Sequence, residues 1–189
     1  MPQIVCATPE ILNPTTCNDR GGFYAAGWTT YEAVDWAAMA ADNSKFDQTT
    51  ATLLDYTMQT GGVFNILTSK AKDAYYEATF TSENDYWELL VAQIFEGKDV
   101  ARTNAFNQAI QCCQLILHLF ANNGKDRVFG VDWNGTSFQP TLEPLRVGRV
   151  LDAGGQIGSN KARDEMDLTG QSLFAPIHST MAYANLPLT

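Results

Sequence analysis

Two spacings of apolar residues run through this chain, and they divide it into elements. Residues 1 to 22 show neither spacing; rich in Pro, Thr, Asn and Gly, they form an irregular arm that ends at Gly21-Gly22. Phe23 to Trp28 is expected as a strand. Behind it, Thr29 with Glu32 three residues later matches a capping box. Val34, Ala37, Ala38 and Ala41 then share one face of a short helix, which Asp42-Asn43-Ser44 stops. From Phe46 to Phe80 the pattern turns to strands, with TATLLDYTMQT closing at Gly61-Gly62, followed by VFNILTSK and AYYEATFT. In the last of these Tyr76, Ala78 and Phe80 alternate with Glu77 and Thr79.

Helical spacing returns after Ser82. That serine and Asp85 form a second cap-like pair, and Trp87, Leu90, Val91 and Ile94 fall on one face. Gly97 and Lys98 supply a stop, so the pattern predicts a helix over 83–96. Residues 98 to 109 follow as a loop with some helical character. CCQLILHLF is then too short and too rich in β-branched and aromatic residues for a helix. It leads into Asn123-Gly124, RVFGVDW, Asn134-Gly135 and TSFQP. Asn-Gly between apolar runs is a hairpin signal, so 112–140 is expected as a three-stranded antiparallel meander. PLRVGRVLD, ARDEMDLTG and SLFAPI add further strands. The pattern predicts a mainly β, α+β fold. Its sheet is an antiparallel sandwich or barrel-like sheet, with one flanking helix and a short N-terminal helix. The arm covers 1–22 and a single β-rich domain covers 23–189.

Composition adds a constraint on the surface. Charged residues are 17% of the 189, against about a quarter in an ordinary soluble protein, and Thr, Asn, Gln and Ser supply the polarity instead. A surface covered by other subunits has this character, because charge is depleted at interface cores. The net charge is −9 and no basic run occurs, which argues against DNA or RNA readout through clustered Lys and Arg. MPQIVCATPEIL lacks the basic and apolar regions of a secretory signal. Apolar runs fall far short of the ~20 residues of a membrane helix, so no membrane partner is expected. Cys6, Cys17, Cys112 and Cys113 contain no CxxC spacing; they are expected as buried free thiols, with no signal for a Cys6–Cys17 bridge or a zinc site.

DAGGQIGSNKARDE, residues 152 to 165, is the one stretch that resembles a phosphate cradle. A Walker loop places Lys directly after Gly and a hydroxyl next, whereas Lys161 stands three residues after Gly158 and is followed by Ala162. Gly154, Gly155 and Gly158 also lack the GxGxxG spacing. The stretch is therefore expected as an inter-strand loop. His118 lies on an apolar strand and His178 follows Pro176-Ile177, so neither has the setting of a catalytic base. No GxSxG elbow occurs. Asp164, Glu165 and Asp167 suit a solvated strand edge better than a metal site. A carboxylate pair of the glycosidase kind stays open, because the fold and not sequence spacing sets such a pair. No cofactor, no metal and no enzymatic activity are expected. Asn134-Gly135-Thr136 matches a glycosylation sequon but is better explained as a turn. Trp28, Trp36, Trp87 and Trp133 are expected mostly in the core, whereas a sugar-binding sandwich needs some of them on one exposed face.

The order of elements resembles that of bacteriophage tail tube proteins. The likeness lies in YYEATFTSENDYWELL, RVFGVDWNGTSF and GRVLDAGGQIGSNKARDEMDLTG, over about residues 50 to 178. It is a likeness of pattern and composition, without a diagnostic motif. It implies a virion protein, assembled in the host cytoplasm, whose subunits form rings, commonly hexameric, that stack into a tube conducting DNA. Its partners are further copies of itself and other virion proteins, with DNA only as passing cargo. Under the resemblance residues 1–22 are an assembly arm. The loop carrying Gly154, Gly155, Gly158, Lys161 and Arg163 becomes a candidate contact between subunits. Head–tail connector proteins are close competitors, and a monomeric β-sandwich binding module for glycans or surfaces is the alternative from another class.

Overall fold

A computed structural model of the chain describes residues 18–69, 74–81, 86–95, 100–121, 126–152 and 164–188. In chain order its strands begin with β1 (Asn18–Thr30), β2 (Phe46–Asp47), β3 (Thr52–Leu53), β4 (Asn65–Ser69), β5 (Tyr75–Thr81) and β6 (Tyr86–Phe95). They continue with β7 (Leu115–Ala121), β8 (Asp126–Phe129), β9 (Val131–Trp133), β10 (Phe138–Pro140), β11 (Glu143–Asp152), β12 (Asp164–Ser172) and β13 (Ile177–Ser179). Two helices interrupt them, α1 (Trp36–Ala40) and α2 (Val100–Cys112). The fold is mainly β with a flanking helix and a short helix near the N-terminus, as the pattern predicts. The main sheet is open and mixed, in the order β11-β12-β6-β4-β1-β7-β8-β13-β3-β2, with β5 pairing both β1 and β6. The parallel pair is β13 with β3.

Strand β7 shows how the sequence makes this sheet. LILHLFA has no polar side to offer water, so it is stable only with both faces covered, and all seven residues are buried. Its alternate side chains enter two different cores, because successive residues of a strand point to opposite faces. Leu115, Leu117 and Leu119 join Trp87, Leu89, Val91, Leu145, Leu168 and the α2 residues Phe106, Ala109 and Ile110. Ile116 and Phe120 join Trp36, Phe46, Tyr56, Trp133 and Phe138 on the other side. All four tryptophans are buried.

Several expected elements differ. The helix expected over 83–96 is strand β6. Its buried residues Trp87, Leu89 and Val91 have a period of two, while Glu88 is exposed and Leu90 half-buried. β6 is hydrogen-bonded to β5 on one side and β12 on the other. Pairing on both edges overrides the helical coincidence of Trp87, Leu90, Val91 and Ile94. The flanking helix is instead α2, in the segment expected as a loop; buried Phe106, Ala109 and Ile110 give it the i, i+3, i+4 face.

The arm also ends earlier than expected, since β1 starts at Asn18 and pairs with β5 from Asn18 to Gly22. Residues 1–17 lie outside those described. Thr29 does not cap a helix: its hydroxyl donates to the Val63 carbonyl. Asp35 caps α1 by accepting from the Ala38 N–H, and a 3-10 turn at Tyr31–Ala33 precedes it. The meander breaks after β8, because β9 and β10 form their own two-stranded ribbon. The break is at Gly130, with φ +101°, where a Cβ would run into the Leu115 carbonyl oxygen. In the turn from β9 to β10 only Gly135 takes positive φ (+93°), and the Asn134 carboxamide accepts from the Thr136 and Ser137 N–H groups. Cys112 and Cys113 are joined as a vicinal disulfide instead of remaining free. Cys6 and Cys17 lie outside the described residues.

Candidate functional site

Four neighbouring strands, β5, β6, β12 and β11, turn one face to the α2-side core and leave the other to solvent. Two lateral rows of side chains cross that open face. The first runs Thr79, Glu88, Gln171, Glu143 in register from strand to strand. The second runs Glu77, Leu90, Thr169, Arg146, and β1 extends it with Arg20 opposite Glu77. Strands lie about 4.8 Å apart, so the rows form a continuous polar surface and not isolated charges. A cavity of about 570 Å³ lies over it, lined by both rows together with Leu89, Pro144 and Gly170.

Three carboxylates and one guanidinium line the cavity and make it acidic, with Arg20 beyond it on β1. Arg146 is also tied elsewhere: its Nη1 donates to the carbonyls of Ile110 (2.8 Å) and Cys113 (3.3 Å) at the end of α2. A cation there suits the negative end of a helix. At its rim the face ends on β11, ten residues long, which pairs only with β12 among the described residues. Val147 on that strand and the flanking Leu142 and Leu173 are 38%, 49% and 50% exposed.

The buried polar groups belong to the scaffold. Arg127 in β8 grips Asp19 at the start of β1 through two hydrogen bonds, Nε–Oδ2 at 2.6 Å and Nη2–Oδ1 at 3.3 Å. His118 in β7 shares a 2.7 Å hydrogen bond with the Tyr56 hydroxyl and stacks on Phe120, while its Nε2 meets no partner. Burial pushes its pKa down to about 3, so the ring is neutral in ordinary buffers. His178 is also held low, at about 4, by burial and then by Arg127. Asp132 in β9 accepts from the Leu173 N–H at 3.0 Å, and burial raises its carboxyl to about 7. None of these three lines the cavity, whose titratable lining is Glu77, Glu88, Glu143 and Arg146. Among the described residues no cluster of His, Cys, Asp or Glu could hold a metal ion, and no helix is long and apolar enough to cross a membrane.

Gly154, Gly155, Gly158, Lys161 and Arg163 all lie outside the described residues. The residues on the open face were not singled out from the sequence. A signal existed for part of them, in the alternation of Glu77 and Thr79 with buried Tyr76 and Ala78. The β6 half was hidden by its helical appearance. Compared with family models, curated proteins and solved structures, the chain finds no match.

Proposed function

We propose that this chain is a virion structural subunit that assembles edge to edge into rings around a DNA-conducting channel, as in a phage tail tube. The observation that carries the proposal is the acidic open face of β5-β6-β12-β11 ending on the edge of β11 that has no partner strand among the described residues. A long free edge is a template for another strand, and a protein that keeps one has a use for it or a cost from it. Half-exposed Leu142, Val147 and Leu173 beside the edge favour a partner over water. A contact between two different patches of identical subunits gives a ring when the rotation between neighbours closes on itself. Glu77, Glu88 and Glu143 would then face the channel, repelling phosphates so that DNA passes as cargo without adhering. The net charge of −9 points the same way. Other virion proteins would meet the ends of such a tube. Burial of all four tryptophans removes them as the aromatic platform of a glycan-binding module.

Electron microscopy and sedimentation of the purified full chain test the proposal. Rings or tubes are expected, and Val147→Lys, which puts a charge on an exposed position of β11, should return the protein to monomer. A wild-type chain that stays monomeric at high concentration and at both low and high salt overturns it.

A further inference from the structure

Where α2 ends, Cys112 and Cys113 stand next to each other in sequence and are bonded to each other. We propose that they form a reversible thiol–disulfide site whose oxidation state sets how firmly the end of α2 holds β11. This goes beyond the assembly reading and can be read out within a single chain. Three observations carry it. Cys112 is exposed and Cys113 half-buried, so a small thiol reagent can reach the pair. The pair sits between two fixed points. On one side the Cys113 N–H closes the last helical turn on the Ala109 carbonyl at 3.0 Å. On the other the Gln114 side chain donates to the Gly130 carbonyl at 2.8 Å and the Thr141 hydroxyl at 2.9 Å. Finally, the Cys113 carbonyl accepts from Arg146 of β11.

A disulfide between adjacent residues closes a small ring that contains their joining peptide, so ring closure fixes the direction of that peptide. With both flanks anchored, a change there is transmitted to the Cys113 carbonyl and the guanidinium bound to it. Reduction would free Cys112 Sγ, which stands 4.0 Å from the Ala109 carbonyl, as a thiol able to donate toward it. The chemistry is thiol–disulfide exchange with a low-molecular-weight disulfide. One cysteine thiolate attacks that disulfide and expels a small thiol; the second then attacks the resulting mixed disulfide and expels the other. The two cysteines lose two electrons and two protons, which appear in the two small thiols.

The test uses the full chain carrying Cys6→Ser and Cys17→Ser, equilibrated in oxidised or reduced glutathione. Alkylation with N-ethylmaleimide and intact mass should show no adduct and a loss of two hydrogens in the oxidised buffer, and two adducts in the reduced one. Hydrogen exchange at the amides of β11 should speed up several-fold on reduction. Adding Cys112→Ser and Cys113→Ser should abolish that response to buffer while leaving the fold intact. Two alkylatable thiols in oxidised glutathione, a stable glutathione adduct in place of the internal bond, or identical β11 exchange in both buffers overturns the proposal.

Discussion

Strands β6 and β7 have similar amounts of apolar sequence and opposite situations. Every residue of β7 is buried, because both faces of the sheet are covered there, by α2 on one side and by the α1 and β9–β10 layer on the other. β6 buries Trp87, Leu89 and Val91 on one face and leaves Glu88 to water on the other. The difference lies in what stands over the second face, and it locates the candidate site where the sheet runs out of cover. Residues on the doubly covered strands should therefore govern stability, and residues on the open face should be free to serve another purpose.

The largest expected effect is on the doubly covered side. Phe120→Ala removes a ring that stacks on His118 at 4.2 Å and meets Tyr183 edge-on at 5.2 Å. It should cost about 3–5 kcal/mol in urea unfolding. Leu90→Ala, on the open face of β6, should cost less than about 1 kcal/mol. Comparable losses at the two positions would show that the open face is in fact covered, and would break the comparison.

Next in size is the link that holds the start of β1. Arg127 is 3% exposed and pairs with Asp19. Arg127→Met leaves the carboxylate without its partner and should destabilise the fold by roughly 3 kcal/mol. Adding Asp19→Asn removes the stranded charge and should recover most of the loss. If the double variant is no better than the single one, the pair is holding the strand by more than charge.

That link also shows why the sequence was legible only in part. Asp19 and Arg127 are 108 positions apart, and nothing near Asn18-Asp19-Arg20 marks a strand, since two glycines and three polar residues weaken the local pattern. Pairing with β5 makes the strand, and pairing is a property of the fold. Where the local signal and the tertiary environment agree, as in LILHLFA and in AYYEATFT, the strands were readable. In β6 they disagree: Ser82 and Asp85 give a cap-like spacing and Trp87, Leu90, Val91 and Ile94 a helical stripe, yet both edges are hydrogen-bonded to neighbours. α2 was obscured for the opposite reason, because its buried face is only Phe106, Ala109 and Ile110, set among Asn and Gln residues with little apolar repeat. Losing β6 to a helix also lost the middle of the open face, so the sequence suggested an acidic assembling protein but not which acids share a surface.

A smaller effect comes from pH. His118 and His178 have folded pKa values of about 3 and about 4, below the ordinary 6.5. The unfolded chain takes up these protons first, so stability is lost as pH falls through the window from 6.5 to about 3. Asp132 works in the other direction. Its carboxyl keeps a proton to about 7 when folded but only to 3.8 when unfolded, so its contribution is lost as pH rises between those values. Asp132→Asn keeps an acceptor for the Leu173 N–H and removes the buried ionisation. It should stabilise the protein by ~1 kcal/mol or more at pH 8 and hardly at all at pH 4. Equal gains at both pH values would mean that packing, and not ionisation, is what the substitution changes.

The smallest expected effect on stability is the one that bears most on function. Glu77→Gln, Glu88→Gln and Glu143→Gln together keep the shape of the open face while removing its three negative charges. Each should shift stability by no more than about 0.5 kcal/mol, because surface substitutions of this kind rarely do more. If the face lines a channel, tubes of the triple variant should still form and should now retain double-stranded DNA at low salt, releasing it as salt screens the remaining attraction. If the face is instead a contact between subunits, the triple variant should change the assembly itself and leave DNA retention alone. Stability unchanged, tubes intact and DNA retained would together assign the open half of the sheet to passage and its covered half to holding the shape.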